Sequence, residues 1–191
     1  MILRTAKDNP YSRECYPKYP GFAPEAVAPL LHSMLRIARS DRLGDSHEYR
    51  VIAWWASGRT GLAKSDSAPN SIHFTAPLPF GGLEGRWTPE DLLLCAVASC
   101  FTTTFRVLAE NAKWEYTDLE VEAAGKVDKA NSGYSFSHII LRPHLKILGE
   151  DERARAFELL QKAESLCLVS RALAVTPAFE PVVEVKKTAL G

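Results

Sequence analysis

The sequence predicts an α+β domain in which antiparallel sheets pack with a long central helix and a second helix, and three observations carry that reading. Strand-like runs bounded by turn signals occupy residues 47–77 and 116–148. One long apolar helical run with a clear start lies between them, from Thr88 to about Asn111. A second, amphipathic helix follows at about 151–164, before a last strand at 181–187. The order is strands, helix, strands, helix, strand, with no internal repeat and no low-complexity segment.

Each element has a local cause. HEYRVIAWWAS (47–57) is apolar and β-prone, SGRTG (57–61) is a turn signal, and SIHFTAP (71–77) alternates as a strand. LPFGGLEGR (78–86) holds three glycines and reads as a flexible loop. Thr88 caps the central helix, Pro89 suits its first position, and Glu90 and Asp91 suit its positive end. From Leu92 to Phe101 apolar residues occupy nearly every face, including Cys95. Such a helix is covered by a sheet on one side and by other protein on another. Thr102, Thr103 and Thr104 are weak helix formers, so packing must hold that turn. YTDLEVEAAGKV (116–127) and YSFSHIILRPHLKIL (134–148) form an antiparallel pair turning at Lys129–Gly133. In the second helix Ala154, Phe157, Leu160 and Ala163 are expected on the buried face, and its continuation brings Cys167. Pro177 and Pro181 bracket an irregular turn before PVVEVKK (181–187) returns as a strand.

Composition bounds the function. The chain has 191 residues, 46% hydrophobic and 24% charged, enough for one substantial core and too few for two full-sized domains. Lys+Arg and Asp+Glu both number 23, so the basic excess that marks a nucleic-acid or anionic-membrane binder is missing. Neither partner is expected. The opening MILRTAKDNPYSRECYPKYP is broken by charges and prolines and reads as neither signal peptide nor anchor, so a cytoplasmic location is the expectation. Residues 1–47 form a distinct extension. Pro10, Pro17, Pro20 and Pro24 make its start irregular, and Leu30, Leu31, Met34, Leu35 and Ile37 predict a short amphipathic helix over 29–39. The main domain is 48–191.

Four cysteines are too few for a disulfide-dense scaffold. Cys15 lies in the irregular extension and reads as incidental. Cys95 and Cys100 sit about 140° apart around a helix, and no pair has CxxC spacing, which argues against a zinc knuckle. His32, His47, His73, His138 and His144 are scattered without HExxH spacing. GxGxxG after a strand and GxxxxGK[ST] are both missing, and VASC lacks the glycine frame of a hydrolase elbow. No metal and no cofactor are expected.

FGGLEGRWTPEDLLLCAVASC (80–100), followed by AESLCLVSRAL (163–173), resembles the OsmC/Ohr family of thiol-dependent peroxidases. The resemblance covers about residues 48–187. It implies an α+β fold, an intertwined homodimer with active sites at the interface, and reduction of organic hydroperoxides, with hydrogen peroxide as a further substrate. Cys100 matches the family's peroxidatic cysteine and Cys167 its resolving cysteine. Arg59 matches the arginine that holds thiolate and peroxide, and Glu90 the glutamate that orients that arginine. The resemblance gives Cys95 no role, and core packing is expected for it. The chain departs from the pattern at Leu168, where the family usually has proline after the cysteine, and at Arg171, where asparagine is common. Arg86 in the glycine loop stands as an alternative to Arg59.

The chemistry fits those residues. A cysteine in apolar surroundings is inert unless a guanidinium favours its anion, and a carboxylate can fix that guanidinium's direction. Cys100 would become a sulfenic acid and condense with Cys167 to a disulfide, which an external thiol, dithiol or lipoyl-type reductant reopens. Glu90 and Cys100 are ten residues apart, about 15 Å along one helix, so one arginine cannot easily join them within a chain. A two-fold dimer solves this if Arg59 and Glu90 of one chain complete the pocket around the partner's Cys100. Two other readings stay open: an OsmC-like protein that binds a hydrophobic ligand or partner without peroxidase chemistry, and a different thiol enzyme with His138 as base.

Overall fold

The turn after the first strand is built by Gly58, whose φ of 53° a side chain would disfavour, and closed by a hydrogen bond from Trp55 Nε1 to Gly58 O of 2.8 Å. It joins β1 (Val51–Ser57) to β2 (Thr60–Ser65), and β3 (Ile72–Phe74) adds beyond β2 to complete an antiparallel sheet of order β1-β2-β3. The computed structural model describes residues 46–131 and 133–186. The helix expected over 29–39 and Cys15 lie outside the described residues.

Helix α1 (Pro89–Asn111) starts where the sequence predicts. Thr88 Oγ1 accepts from Asp91 N at 3.2 Å, and Thr88 N donates to Asp91 Oδ2 at 2.9 Å. This capping box satisfies donors that the helix itself leaves open. The three threonines turn their hydroxyls back on the helix: Thr102 donates to Ala98 O, Thr103 to Ser99 O and Thr104 to Cys100 O, all within 2.9 Å. Val97, Phe101, Phe105 and Ala109, four residues apart, form the buried stripe. Among the described residues α1 is long and apolar enough to cross a membrane by length and composition, a test that a core helix passes as well. Cys95 is exposed, contrary to the core packing expected for it. It lies off the Val97–Ala109 stripe, on a face of α1 left exposed among the described residues.

A long hairpin receives α1. β4 (Asp118–Ala130) and β5 (Gly133–Ile147) pair antiparallel from Asp118↔Lys146 to Ala130↔Gly133, with one irregularity at Lys126/Val127. Every second residue of β5 from Ile139 to Ile147 is buried. The opposite face carries Arg142, His144 and Lys146: Arg142 pairs with Glu122 of β4 and with Glu180, Lys146 pairs with Asp118, and His144 Nε2 lies 3.1 Å from a Glu184 carboxylate oxygen. Gly125 leaves room for the Phe136 ring and for Leu94 of α1.

After a single 3₁₀ turn (Glu150–Glu152), α2 (Arg153–Leu166) packs on α1 and β5. Its buried residues are Ala156, Leu159, Leu160 and Ala163. Ala154 is exposed, so one of the four predicted inward positions moves, while Phe157 is half-buried and packs against the core from its edge. The stripe observed is the i, i+3, i+4, i+7 pattern counted from Ala156, with Arg155 and Glu158 ion-paired on its solvent side. The helix breaks at Cys167, which is extended at φ −64°, ψ 108°, and restarts as α3 (Leu168–Ala172).

The chain then returns along β5. β6 (Ala178–Phe179) lies between Pro177 and Pro181, where an irregular turn was expected, and β7 (Val182–Val185) follows. Both pair with β5 in parallel. The reason is topological: α2 carries the chain back along the sheet, as a crossover between parallel strands requires. Phe179 meets Phe101 with ring centroids 5.7 Å apart, which closes the core formed by α1, α2 and the β4–β5 hairpin.

Candidate active site

Cys100 lies on α1 beside the buried Phe101 and packs against the core while remaining partly accessible. Cys167 is fully buried. The break between α2 and α3 sets its side chain in the core against which Cys100 of α1 packs, close enough for the Cys100 sulfur to act on its thiol. The structure therefore brings together the two cysteines that lie 67 residues apart in sequence. Burial pushes the Cys167 thiol up. The hydroxyl and backbone N–H of Ser170 act in the opposite direction, and the Cys100 sulfur adds to the rise. Cys167 thus rests as a neutral thiol. Leu168, where a proline is usual, is the first residue of α3 and is mostly exposed. A helix tolerates proline there without preference for its absence, and Cys167 already has the extended backbone that a following proline demands. The departure leaves the local geometry intact.

Arg59 sits at the turn between β1 and β2, on the rim of the glycine loop. Its Nη2 donates to Phe80 O at 3.3 Å, and its guanidinium lies over Gly81 so closely that a Cβ at that position would collide with it. Gly81 has φ 75°, and it is this backbone that calls for glycine, since the guanidinium could shift aside. The loop is anchored from below by buried Thr75. Its Oγ1 donates to Arg59 O at 2.8 Å and accepts from Leu83 N at 3.2 Å. The loop expected to be flexible is therefore shaped around Arg59, with a 3₁₀ turn over Leu78–Phe80. Arg86 is exposed on the same loop.

Glu90 occupies the first turn of α1. It makes no ion pair with Arg59 within the chain, and its Oε2 is buried without a hydrogen-bond partner among the described residues. Glu90 and Cys100 are at positions of one uninterrupted helix, about 15 Å apart along its axis. His138 is exposed and pairs in register with Lys126 on the hairpin. No hydrogen bond links it to Cys100, which leaves the base of an alternative thiol enzyme without support. Among the described residues no three His, Cys, Asp or Glu side chains group as metal ligands would.

Sequence reasoning missed one member of this site. Ser170 is buried, and its Oγ donates to Cys167 Sγ at 3.2 Å. The Cys-x-x-Ser spacing was the available signal, since a residue three positions on can reach back across one turn.

A long apolar helix that presents one cysteine to a second, set at a helix break and faced by a curved hairpin, defines an OsmC/Ohr-type α+β protein. The chain belongs to the OsmC-like family: the family model described as OsmC-like protein matches residues 82–181. An uncharacterised Bacillus subtilis protein, YmaD, is 28% identical over 130 residues, which span 66% of this chain and 87% of that protein. The peroxiredoxin OsmC of Escherichia coli is 30% identical over 95 residues, 49% of this chain and 64% of that protein. Among solved structures, an organic hydroperoxide resistance protein from Elizabethkingia anophelis superimposes with a TM-score of 0.59 at 21% identity, covering 75% of this chain and all of that one. OhrB of Bacillus subtilis gives 0.51 at 25% identity, covering 73% of this chain and 98% of that one. The α+β class is thus established by fold as well as by family.

Proposed function

We propose that the protein is a thiol-dependent peroxidase that reduces organic hydroperoxides through Cys100 and Cys167. The observation that carries this reading is the placement of Cys100 and Cys167 in one core, the first partly accessible and the second buried and close enough for the Cys100 sulfur to act on it. The Cys100 thiolate attacks one peroxide oxygen in line with the O–O bond. That bond breaks, Cys100 becomes a sulfenic acid, and the departing oxygen leaves as an alcohol after taking a proton. Cys167 then attacks the Cys100 sulfur, forms the disulfide and expels water. An external thiol, dithiol or lipoyl-type reductant reopens it by exchange.

The thiolate and the departing oxygen both need a cation, and Arg59 is the residue proposed for this task. We assign it to a homodimer in which Arg59 and Glu90 of one chain complete the pocket at the partner's Cys100. Two features support the assembly. Glu90 Oε2 is buried without a donor among the described residues, a costly state that a guanidinium would relieve. The β1-β2-β3 sheet exposes Val51, Trp55 and Ile72 on one face and Ile52 and Trp54 on the other, apolar surface of the kind that marks an interface. The similarity to the peroxiredoxin OsmC and to organic hydroperoxide resistance proteins supports the same class for this chain.

The test is consumption of an organic hydroperoxide with a dithiol reductant. Cys100→Ser is expected to abolish turnover. Cys167→Ser is expected to lose turnover but still form one sulfenic acid per chain. Full activity of Cys100→Ser contradicts the proposal and leaves binding of a hydrophobic ligand or partner as the better reading.

A further inference from the structure

We propose that Ser170 is a positioning residue for Cys167, holding its sulfur toward Cys100 and supplying the donor that the Cys167 thiolate needs in order to attack. The inference rests on the peroxidase reading for its place in the cycle, but the geometry stands apart from it. Cys167 Sγ is sealed in a core whose other members include Val97, Phe101, Leu160 and Ala163, all apolar. An anion formed there without a donor would bear the full desolvation penalty. Ser170 is the polar side chain on that sulfur, with Oγ at 3.2 Å, and its backbone N–H also faces it. The Ser170 hydroxyl is itself almost fully buried, so it has little access to solvent as a competing partner.

The position of α3 explains how this comes about. The chain leaves the helical region at Cys167 and re-enters it at Leu168, so Ser170 is carried one turn above the cysteine and on the same side. A hydroxyl bound to a thiol loses one rotational freedom and fixes the direction of the sulfur's remaining lone pairs. Across from it lies Cys100 on α1, which is the titratable group facing Cys167 among the described residues. Ser170 and Cys100 therefore bracket Cys167 from two elements.

The step it serves balances without a further reactant. Cys167 releases its proton, and its sulfur forms the S–S bond with Cys100. The S–O bond of the sulfenic acid breaks, and its oxygen takes up the proton and leaves as water. Ser170 keeps its own proton throughout and acts by donating to the developing charge.

The test labels Cys167 in the full chain carrying Cys100→Ser, using methyl methanethiosulfonate across a pH series, with modification read peptide by peptide by mass spectrometry. This readout needs no peroxide. Ser170→Ala is expected to move the pH of half-maximal labelling up by about one unit, which makes labelling about ten-fold slower below that pH. Ser170→Thr, which retains the hydroxyl, is expected to stay within about two-fold of the parent, whereas Ser170→Val, of the same shape, follows the alanine variant. A merely structural role would alter all three variants without separating threonine from valine. Identical pH profiles for Ser170, alanine and valine overturn the proposal. In chains with Cys100 intact, a peroxide pulse is expected to give normal sulfenic acid formation and about ten-fold slower disulfide closure in Ser170→Ala. A parent chain that forms no sulfenic acid sinks the peroxidase reading, while the labelling profile still decides the role of Ser170.

Discussion

The two cysteines and the arginine belong to regions of the molecule that are stabilised in different ways. Cys100 and Cys167 lie in a core closed within one chain. Val97, Phe101, Phe105, Leu141, Leu145 and Leu160 are fully buried around them. Arg59 belongs to a three-stranded sheet whose first strand has every residue exposed, with Trp54 and Trp55 at 44% and 56%. That sheet is tied to the rest by local contacts, such as Thr75 N donating to Trp87 O at 2.9 Å and Phe80 meeting Tyr134 at a centroid distance of 5.1 Å. The difference teaches a division of labour. One chain assembles the pair proposed to exchange electrons, whereas the cation proposed to activate it sits beside a sheet whose first strand is exposed along its whole length.

Mutations can break that comparison on either side. On the core side, Phe105→Ala is expected to cost about 3–5 kcal/mol, the largest effect proposed, measured by urea unfolding. Phe105 is fully buried and packs on Phe101, Trp114 and Tyr116. On the sheet side, Trp54→Asp is expected to leave the unfolding midpoint of the separated chain nearly unchanged. It is expected to halve the apparent mass in sizing and to lower peroxidase turnover by about 10²-fold, since the proposed shared site would come apart. Retention of full activity by the monomeric variant would sink the shared-site idea. Arg59→Ala is expected to lower turnover by a similar factor of about 10² without changing the apparent mass, and Arg59→Lys is expected to recover little of it, because an ammonium lacks the planar fork of donors. An arginine that acts only as a turn residue would leave turnover intact in both variants.

The smallest expected effect concerns pH. The Cys167 thiol is raised in the folded protein, chiefly by burial. A group raised on folding contributes stability that is fully present below its unfolded pKa and lost as pH rises through the folded value. The reduced protein is therefore expected to lose unfolding free energy as pH climbs from about 8 to about 10, and Cys167→Ala is expected to flatten that slope. An unchanged slope in Cys167→Ala would assign the pH dependence to other groups.

Much of this architecture is readable from local sequence. The Thr88-Pro89-Glu90-Asp91 start of α1, the hairpin turn after Ala130 and the strand at Val182–Val185 all rest on neighbours close in sequence. What escapes is decided by distant contacts. β6 has two residues, too short for any periodicity, and its parallel pairing with β5 depends on where α2 returns the chain. The buried face of α2 turned on Ala156 and Leu159, because two adjacent leucines leave more than one apolar stripe open to choice. Cys95 illustrates the same limit in the other direction. Its apolar neighbours suggest a core position, yet among the described residues it is exposed.

The candidate site divides likewise. The two thiols are named by the family motifs, and their placement in one core follows only from the break at Cys167. Arg59 is visible as a turn residue with glycines around it, whereas its seat over Gly81 needs the folded loop. Ser170 stands in the quoted motif, but its hydrogen bond to Cys167 could be seen only once α3 was in place.

The most direct test of the central claim is the fate of the two sulfurs after one equivalent of an organic hydroperoxide, read by non-reducing peptide mass spectrometry on the full chain. The account predicts one disulfide per chain, between Cys100 and Cys167 of the same chain, with Cys95 left as a thiol. Oxidation that stops at a sulfinic acid on Cys100 while Cys167 remains a free thiol would contradict it.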